Sequence, residues 1–469
     1  MASRSGAGDA PAGGTAAGDA PTDGAPAGDA PTGDAPTDGA PAGDTARTDA
    51  ARTGGPGART ATGPGRFRPR IGAAPLRARG YRLLVIGQGT SEFGNAFQLV
   101  ALPLLVYSLA GGARQLSLVV AAYGAGRLAA TPLGGILADR FGARRVMLTA
   151  DLGRLLATAG LCGIAAAGVA RFWLIGGLAL LVGLGAGVFL PAAWAITPTL
   201  LPAEDLHAGN ALNSTVTFGA GLLGPALAGP LVAWLDPAAA LGVDAATFAV
   251  SAVTLLLIGR GTPVAPPGPV SERASVPRNF RALLRESPLL RAVLTVTVIA
   301  NLTVGGATRV ALPTLATHGF GAGAVGLGLL LAAFTGGALV GGLFAAGLTE
   351  VRSRGRTAMR SGLVMGAAIG LVPFTGLVGA VLLLCLAGGA STVTNVLVVT
   401  GVQRSTPPAL LARVMAAVTF CALGVFPLSV IAAGAAVDAF GSRSVFAATG
   451  LCLLGAFGYA LTRPAIRGL

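Results

Sequence analysis

No lysine occurs among the 469 residues; all 33 positions of the Lys and Arg type are arginine. A P-loop needs a lysine on the phosphates, and Schiff-base catalysis needs a lysine amine. Neither chemistry resides in this chain, and an ATP-driven pump within it is excluded. Cysteine is also scarce. Cys162, Cys385, Cys421 and Cys452 all fall inside apolar runs, without CxxC spacing or a nearby histidine, which argues against a metal site and a disulfide framework. Charged residues make up only 11% of the chain against 53% hydrophobic, a balance foreign to water-soluble domains of this length. Nothing remains for a soluble catalytic domain, so the expectation is no enzyme, no cofactor and no metal.

Long apolar runs take up the space instead. A helix needs about 20 apolar residues to cross a hydrocarbon core about 30 Å thick. Twelve such segments follow one another at 82–109, 115–138, 144–169, 172–200, 210–235, 239–259, 289–317, 322–349, 358–375, 377–402, 410–436 and 442–462. Many are rich in glycine and alanine, as suits helices packed backbone to backbone in lipid. The expected fold is an all-α membrane protein of twelve transmembrane helices.

The formal charge of +14 reads as topology rather than nucleic-acid binding, because the arginines sit between apolar runs and not on a folded polar surface. The loop with Arg140, Arg144 and Arg145, the linker arginines from Arg260 to Arg291, the loop with Arg352, Arg354, Arg356 and Arg360, and then Arg404, Arg413, Arg463 and Arg467 fall on one side. Opposite them stand little more than Arg114, Arg171 and Arg443. The positive-inside rule then places both termini in the cytoplasm.

Residues 1–78 form a Gly, Ala, Pro, Asp and Thr-rich tail in which GDAPTDGAPA occurs at Gly18–Ala27 and again at Gly33–Ala42. Such composition cannot bury a core and predicts disorder. No apolar stretch precedes a cleavage site, so it is no signal peptide. Its basic end is placed to meet anionic lipid, although a solvated tail without a role is the simpler reading. Residues 79–260 make a first six-helix half, 261–288 a cytoplasmic linker and 289–469 a second half. Val100-Ala101-Leu102-Pro103 closes the first span and Val310-Ala311-Leu312-Pro313 the seventh. Each is followed by a short glycine-bearing loop and a span ending in a glycine pair, Gly134-Gly135 and Gly341-Gly342. A repeat of equal topology implies two pseudo-symmetric halves about an axis along the membrane normal.

The loop after the second span reads Gly134-Gly135-Ile136-Leu137-Ala138-Asp139-Arg140-Phe141-Gly142-Ala143-Arg144-Arg145, which resembles the signature loop of the major facilitator superfamily. Further marks resemble its branch of enterobactin exporters and macrolide efflux proteins. They are Asp151 to Arg154, Asn210 to Asn213, Gly224-Pro225, Val243-Asp244 to Phe248, and Gln403 to Arg413. The chain departs from that pattern at Ala412-Arg413, where the branch has glycine before the arginine. It departs again at Glu350 and Arg352, a degraded copy of the loop. The resemblance implies an alternating-access transporter in a bacterial inner membrane, exporting a small amphipathic molecule (a drug, antibiotic or siderophore) in exchange for protons. Its partners would be substrate, protons and lipid, with no nucleic acid, and it would act as a monomer. Uptake of a nutrient and membrane sensing are the alternatives.

Ionisable groups inside hydrocarbon cost roughly 2.5–3.5 kcal/mol on insertion scales and face a cavity or a partner. Glu92 lies ten residues into the first span, about 15 Å deep at 1.5 Å per residue. It is the candidate for proton coupling or for binding a cationic substrate. Arg127, at similar depth in the next span, would bind an anionic substrate or hold Glu92 in a fixed ion pair. Asp151 and Arg154 share a helix face. The resemblance implies that they join Asp139, Arg140 and Arg145 in a cytoplasmic gate network, the alternative being a fixed structural cluster. Gly134 and Gly135, with Gly224 and Pro225, form helix-packing motifs. Asn301 and Asn395 would hydrogen-bond substrate or hold helices together. His207 and His318 are assigned to loops and not to a proton relay.

Overall fold

The computed structural model describes residues 74–109, 111–169, 171–259, 287–347, 353–406 and 408–464. The tail repeats, nearly all of the linker, Glu350, Arg352 and the side chain of Arg413 lie outside the described residues. The first half consists of α1 (Arg79–Ser108), α2 (Ala113–Phe141), α3 (Ala143–Ala166), α4 (Phe172–Leu200), α5 (Leu206–Trp234) and α6 (Pro237–Leu257). The second consists of α7 (Pro288–Gly319), α8 (Gly323–Gly347), α9 (Arg354–Leu371), α10 (Leu377–Ser405), α11 (Pro408–Gly424) and α12 (Phe426–Thr462). Among the described residues there is no strand. Lipid offers no hydrogen bonds, so a spanning backbone must satisfy its own polar groups, and a helix does so within one segment.

Ten of these helical stretches are long and apolar enough to cross a membrane. The last, Ala417–Thr462, is broken at Gly441, whose φ of 79° favours glycine, and so makes two passes. Outside the ten stands α1, which carries Gln88, Ser91, Glu92, Asn95 and Gln98 along its length. This helix and the break at Gly441 are what stand between the ten and the expected twelve. The outer surface is apolar, with Leu156, Trp173, Phe344 and Phe440 largely exposed.

Glycine seams bring helix backbones together within each half. A Cβ on Gly183 of α4 would strike the Tyr123 carbonyl of α2, and one on Gly187 the Arg127 carbonyl. A Cβ on Gly134 would stand 2.5 Å from the Val188 carbonyl. The second half repeats the arrangement, with Gly337 and Gly341 of α8 against the Cys385 and Gly389 carbonyls of α10, and Gly388 against Phe334. Gly134 and Gly341, matched in the sequence repeat, occupy matching seams. Gly135 does not join its neighbour in the packing: nothing lies within 4 Å of where its Cβ would be, because it points away from α4.

Among the described residues the halves meet from the middle of their helices to one end. At the end away from the start of α1, Gly229 of α5 lies against Ala324 and Val325 of α8, and Gly328 of α8 against the Pro225 carbonyl. Gly434 of α12 rests on Ser117 of α2, and the Tyr107 hydroxyl of α1 shares a 2.7 Å hydrogen bond with Thr314 of α7. Gly224 lets α5 close onto Ala96 and Phe93 of α1, so the Gly224-Pro225 step stands where α1, α5 and α8 converge. The apolar core runs unbroken through both halves at this far end, joining Val100, Leu105 and Leu116 with Val310, Leu315 and Val430. At the end where α1 starts it divides. Tyr81, Leu84, Met147 and Ile196 form a core of the first half alone, and Leu290, Leu294, Val402 and Val414 one of the second.

Substituting Gly134→Ala should cost about 1–3 kcal/mol through overpacking against α4, while Gly135→Ala should be neutral. Thermal unfolding of the two variants in detergent checks the contrast, and equal shifts would refute the one-sided seam.

Candidate functional site

A cavity of about 550 Å³ lies between the halves. From α1 it receives Glu92, Asn95 and Gln98, spaced three apart and so near one face of the helix. From α2 come Tyr123 and Arg127, one turn apart, and from α7 Asn301, Thr308 and Arg309. Thr217 of α5 and Thr335 of α8 add hydroxyls, while Phe189, Phe218 and Phe426 supply aromatic wall. Apolar surface with a few convergent polar groups is the usual make-up of a small-molecule site.

The elements explain the placement. Gly183 and Gly187 let α4 press on the α2 backbone at Tyr123 and Arg127, which fixes the level at which those side chains enter. Thr131 also returns a 2.7 Å hydrogen bond to the Arg127 carbonyl. Residues Ala307–Ala311 of α7 are wound as a π-helix, as are Leu315–Gly319. Such wider turns often mark functional positions, and this one carries Arg309. Glu92 is exposed, and no ion pair between it and Arg127 forms; the Arg127 Nε is buried with no hydrogen-bond partner. The fixed Glu92–Arg127 pair is therefore absent from this structure. Arg309 lies close enough to Arg127 and Tyr123 to interact electrostatically with both. Two guanidinium groups from opposite halves thus share one cavity with a single exposed carboxylate.

Arg309 escaped the sequence reading. It immediately precedes the Val310 to Pro313 repeat and was absorbed into an apolar span, though the same rule on buried charge that singled out Glu92 applies to it. Asn301 lines this cavity and also a second one of about 320 Å³, where Asn395 is found with Ser391 and Met359. The amide of Asn301 donates back to the Thr297 carbonyl at 2.9 Å. Asn395 is exposed and does not reach the larger cavity.

The expected gate network is not assembled as one unit. Asp139, Arg140 and Arg145 are exposed at the tail-side end, where Arg140 stacks over Phe141 at 5.4 Å. Arg144, not Arg145, reaches another helix: its Nε and Nη2 donate to the Leu255 and Leu256 carbonyls at 2.6 and 2.8 Å, satisfying the C-terminus of α6. The two cores stand apart at this end, and among the described residues the trio forms no ion pair. Asp151 and Arg154 form a separate, buried ion pair. Ser251 donates to the other Asp151 oxygen at 2.6 Å. The Arg154 guanidinium sits between the Phe189 and Phe248 rings at 4.4 and 4.5 Å and touches the cavity wall. Asp244, quoted in the sequence only as part of a motif, is buried beside it.

Two helical halves around a largely apolar cavity with a few convergent polar groups define a membrane transporter of the two-domain kind. The model of the Major Facilitator Superfamily matches residues 84–426, and the chain belongs to that family. It is 28% identical over 397 residues to the multidrug efflux pump Tap of Mycolicibacterium fortuitum, covering 80% of this chain and 94% of that one. It is 31% identical over 328 residues to the enterobactin exporter EntS of Shigella boydii, covering 67% and 75%. Among solved structures, the nucleoside transporter NupG superposes with a TM-score of 0.64 at 13% identity, over 82% of this chain and 99% of the other. A bacterial homologue of the iron transporter ferroportin in its inward-facing state gives 0.62 at 15%, over 82% and 99%.

Replacing Arg154→Gln leaves buried carboxylate without its cation and should destabilise the fold by roughly 3–5 kcal/mol, whereas Asp139→Asn at the exposed surface should leave stability unchanged. A thermal-unfolding comparison that found both variants alike would contradict the separation of the two charge groups.

Proposed function

We propose that this chain is a proton-coupled exporter that moves a small amphipathic molecule out of a bacterial cell by alternating access. The observation that carries the reading is the cavity between two halves whose apolar cores fuse at one end and separate at the other. The arginine bias of the loops assigns the separated end and both termini to the cytoplasm of an inner-membrane protein. The structure then corresponds to a state that loads from inside. Rocking the halves would open the far end, and the exposed Asp139, Arg140 and Arg145 would find partners only as the cytoplasmic end closes. A single chain lines the cavity, which supports a monomer as the working unit.

The efflux direction draws support from relatives named as an efflux pump and an exporter. The cavity itself supports the substrate chemistry. Phe189, Phe218 and Phe426 suit an apolar or aromatic body, and Asn95, Gln98 and Asn301 suit its polar groups. Arg127 and Arg309, neither ion-paired, suit an acidic group or strong hydrogen-bond acceptor spanned between the halves. Glu92 is the group positioned to meet an amine on the same molecule.

Inverted membrane vesicles under an imposed proton gradient test this with a panel of drugs and siderophores. At least one compound should accumulate inside, the accumulation should collapse with a protonophore, and Arg309→Gln should reduce it by about tenfold or more, the range for losing a charged hydrogen bond. Glu92→Gln should impair accumulation as well. Absence of gradient-driven movement for every compound would defeat the efflux reading in favour of import or sensing.

A further inference from the structure

Behind the cavity wall, α3 and α6 place two carboxylates around one cation. Asp151 and Asp244 are 0% exposed and Arg154 is 3% exposed. Arg154 and Ser251 satisfy Asp151, one on each carboxylate oxygen. Asp244 receives nothing: both of its oxygens are enclosed without a hydrogen-bond donor, and the Arg154 Nε is likewise unpartnered. Among the described residues, Arg154 of α3 is the charged group that bears on it electrostatically. On α1 the facing residue is Gly94, whose Cβ would stand 2.6 Å from the Asp244 Oδ1, and Ser91 is buried one turn earlier. Glu92 points to the cavity. On α6 itself, Thr247 turns its hydroxyl to the Asp244 backbone carbonyl.

Two carboxylates against one guanidinium leave a net negative charge in a site closed to water. An isolated buried ion is far costlier than a neutral polar group, so the arrangement is relieved when one carboxyl holds a proton. Asp151 already has two donors, one of them cationic. The carboxyl left to take the proton is that of Asp244.

We propose that Asp244, rather than Glu92, binds the proton that the transporter exchanges, and that Arg154 links this site to the cavity. While Asp244 is protonated, Arg154 is left to Asp151 and presents the same face to the cavity. When a shift of α1 at Gly94 opens the site and the carboxylic acid releases its proton to cavity water, the resulting carboxylate competes with Asp151 for the guanidinium and draws it away from the wall. A proton and a substrate contact on Arg154 are thereby made to alternate. The Gly94 contact keeps α1, which bears the polar stripe of the cavity, directly against the titrating group. This inference rests on the proton-coupled reading above, but its test does not need a substrate.

The full chain reconstituted in lipid is titrated while infrared difference spectra are recorded in H₂O and D₂O, and the carbonyl stretch of a protonated carboxylic acid is followed. Wild type and Glu92→Gln should both show a titrating, deuterium-sensitive band, Asp244→Asn should lose it, and Asp244→Glu should restore it at a shifted frequency. A band that survives Asp244→Asn, vanishes in Glu92→Gln, or is missing from wild type overturns the assignment. Should Asp244→Asn fail to fold, the frequency shift in Asp244→Glu decides alone, an unshifted band counting against Asp244. If the band behaves as expected while no compound is driven by the gradient, the efflux reading fails and the proton site stands. Gradient-driven transport without the band has the opposite meaning.

Discussion

Hydrocarbon offers no partner to a polar group, and the organisation of this protein depends on that one constraint. Backbone amides in the spans must be satisfied inside the protein, mostly within their own helix, although the Gly306 amide donates to the Ser429 hydroxyl of another helix; this favours helices over strands and irregular chain. Every charge must find a partner or a wet surface. Asp151 and Arg154 satisfy the demand by pairing, and Arg144 by binding the carbonyls at the end of α6. Glu92, Arg127 and Arg309 satisfy it by facing a cavity. Asp244 satisfies it by neither route, which is why it stands out.

The same solvent removes the hydrophobic drive between helices, so close packing must hold them together. Glycine supplies this, and the seams also set the chemistry. Gly183 and Gly187 bring α4 onto the carbonyls of Tyr123 and Arg127, fixing the height of two cavity residues. Gly94 and Gly87 let α1 lie on Asp244, Ser251 and Thr254 of α6, so the helix carrying Glu92, Asn95 and Gln98 is keyed to the buried charge cluster. A seam that holds a half rigid allows that half to move as one body. Contact between the halves, by contrast, runs among the described residues from the middle of the helices to their far ends, through α5 with α8 and α2 with α12, and through Tyr107 with Thr314. Rigid halves meeting toward one end are suited to exchange between two packings.

The architecture was readily legible in the chain. Lipid-spanning helices need long apolar runs, and these are visible without any tertiary information; the repeat of Val-Ala-Leu-Pro with its glycine pair gave the two halves, and matching glycine seams answer to it in space. The polarity of α1 is equally a property of its composition. Depth arithmetic from Arg82 put Glu92 near the midplane, and Glu92 lines the cavity. Arg309 carried the same kind of signal but was hidden by the apolar repeat it adjoins.

Composition and order along the chain determined that this is a two-part helical membrane protein with charges held inside its spans, because crossing lipid is a property of each segment by itself. Which of those charges meet was decided by tertiary structure alone. Arg127 could pair with Glu92 on depth, yet the helix rotations fixed by glycine contacts leave it facing Arg309 from the other half. Asp139 and Asp151 are close in sequence and were expected in one gate network. One ends in solvent and the other is buried with Ser251, a hundred residues away, because Asp139 stands at the end of α2 while Asp151 lies two turns inside α3, and only the packing of α3 on α6 determines what waits there.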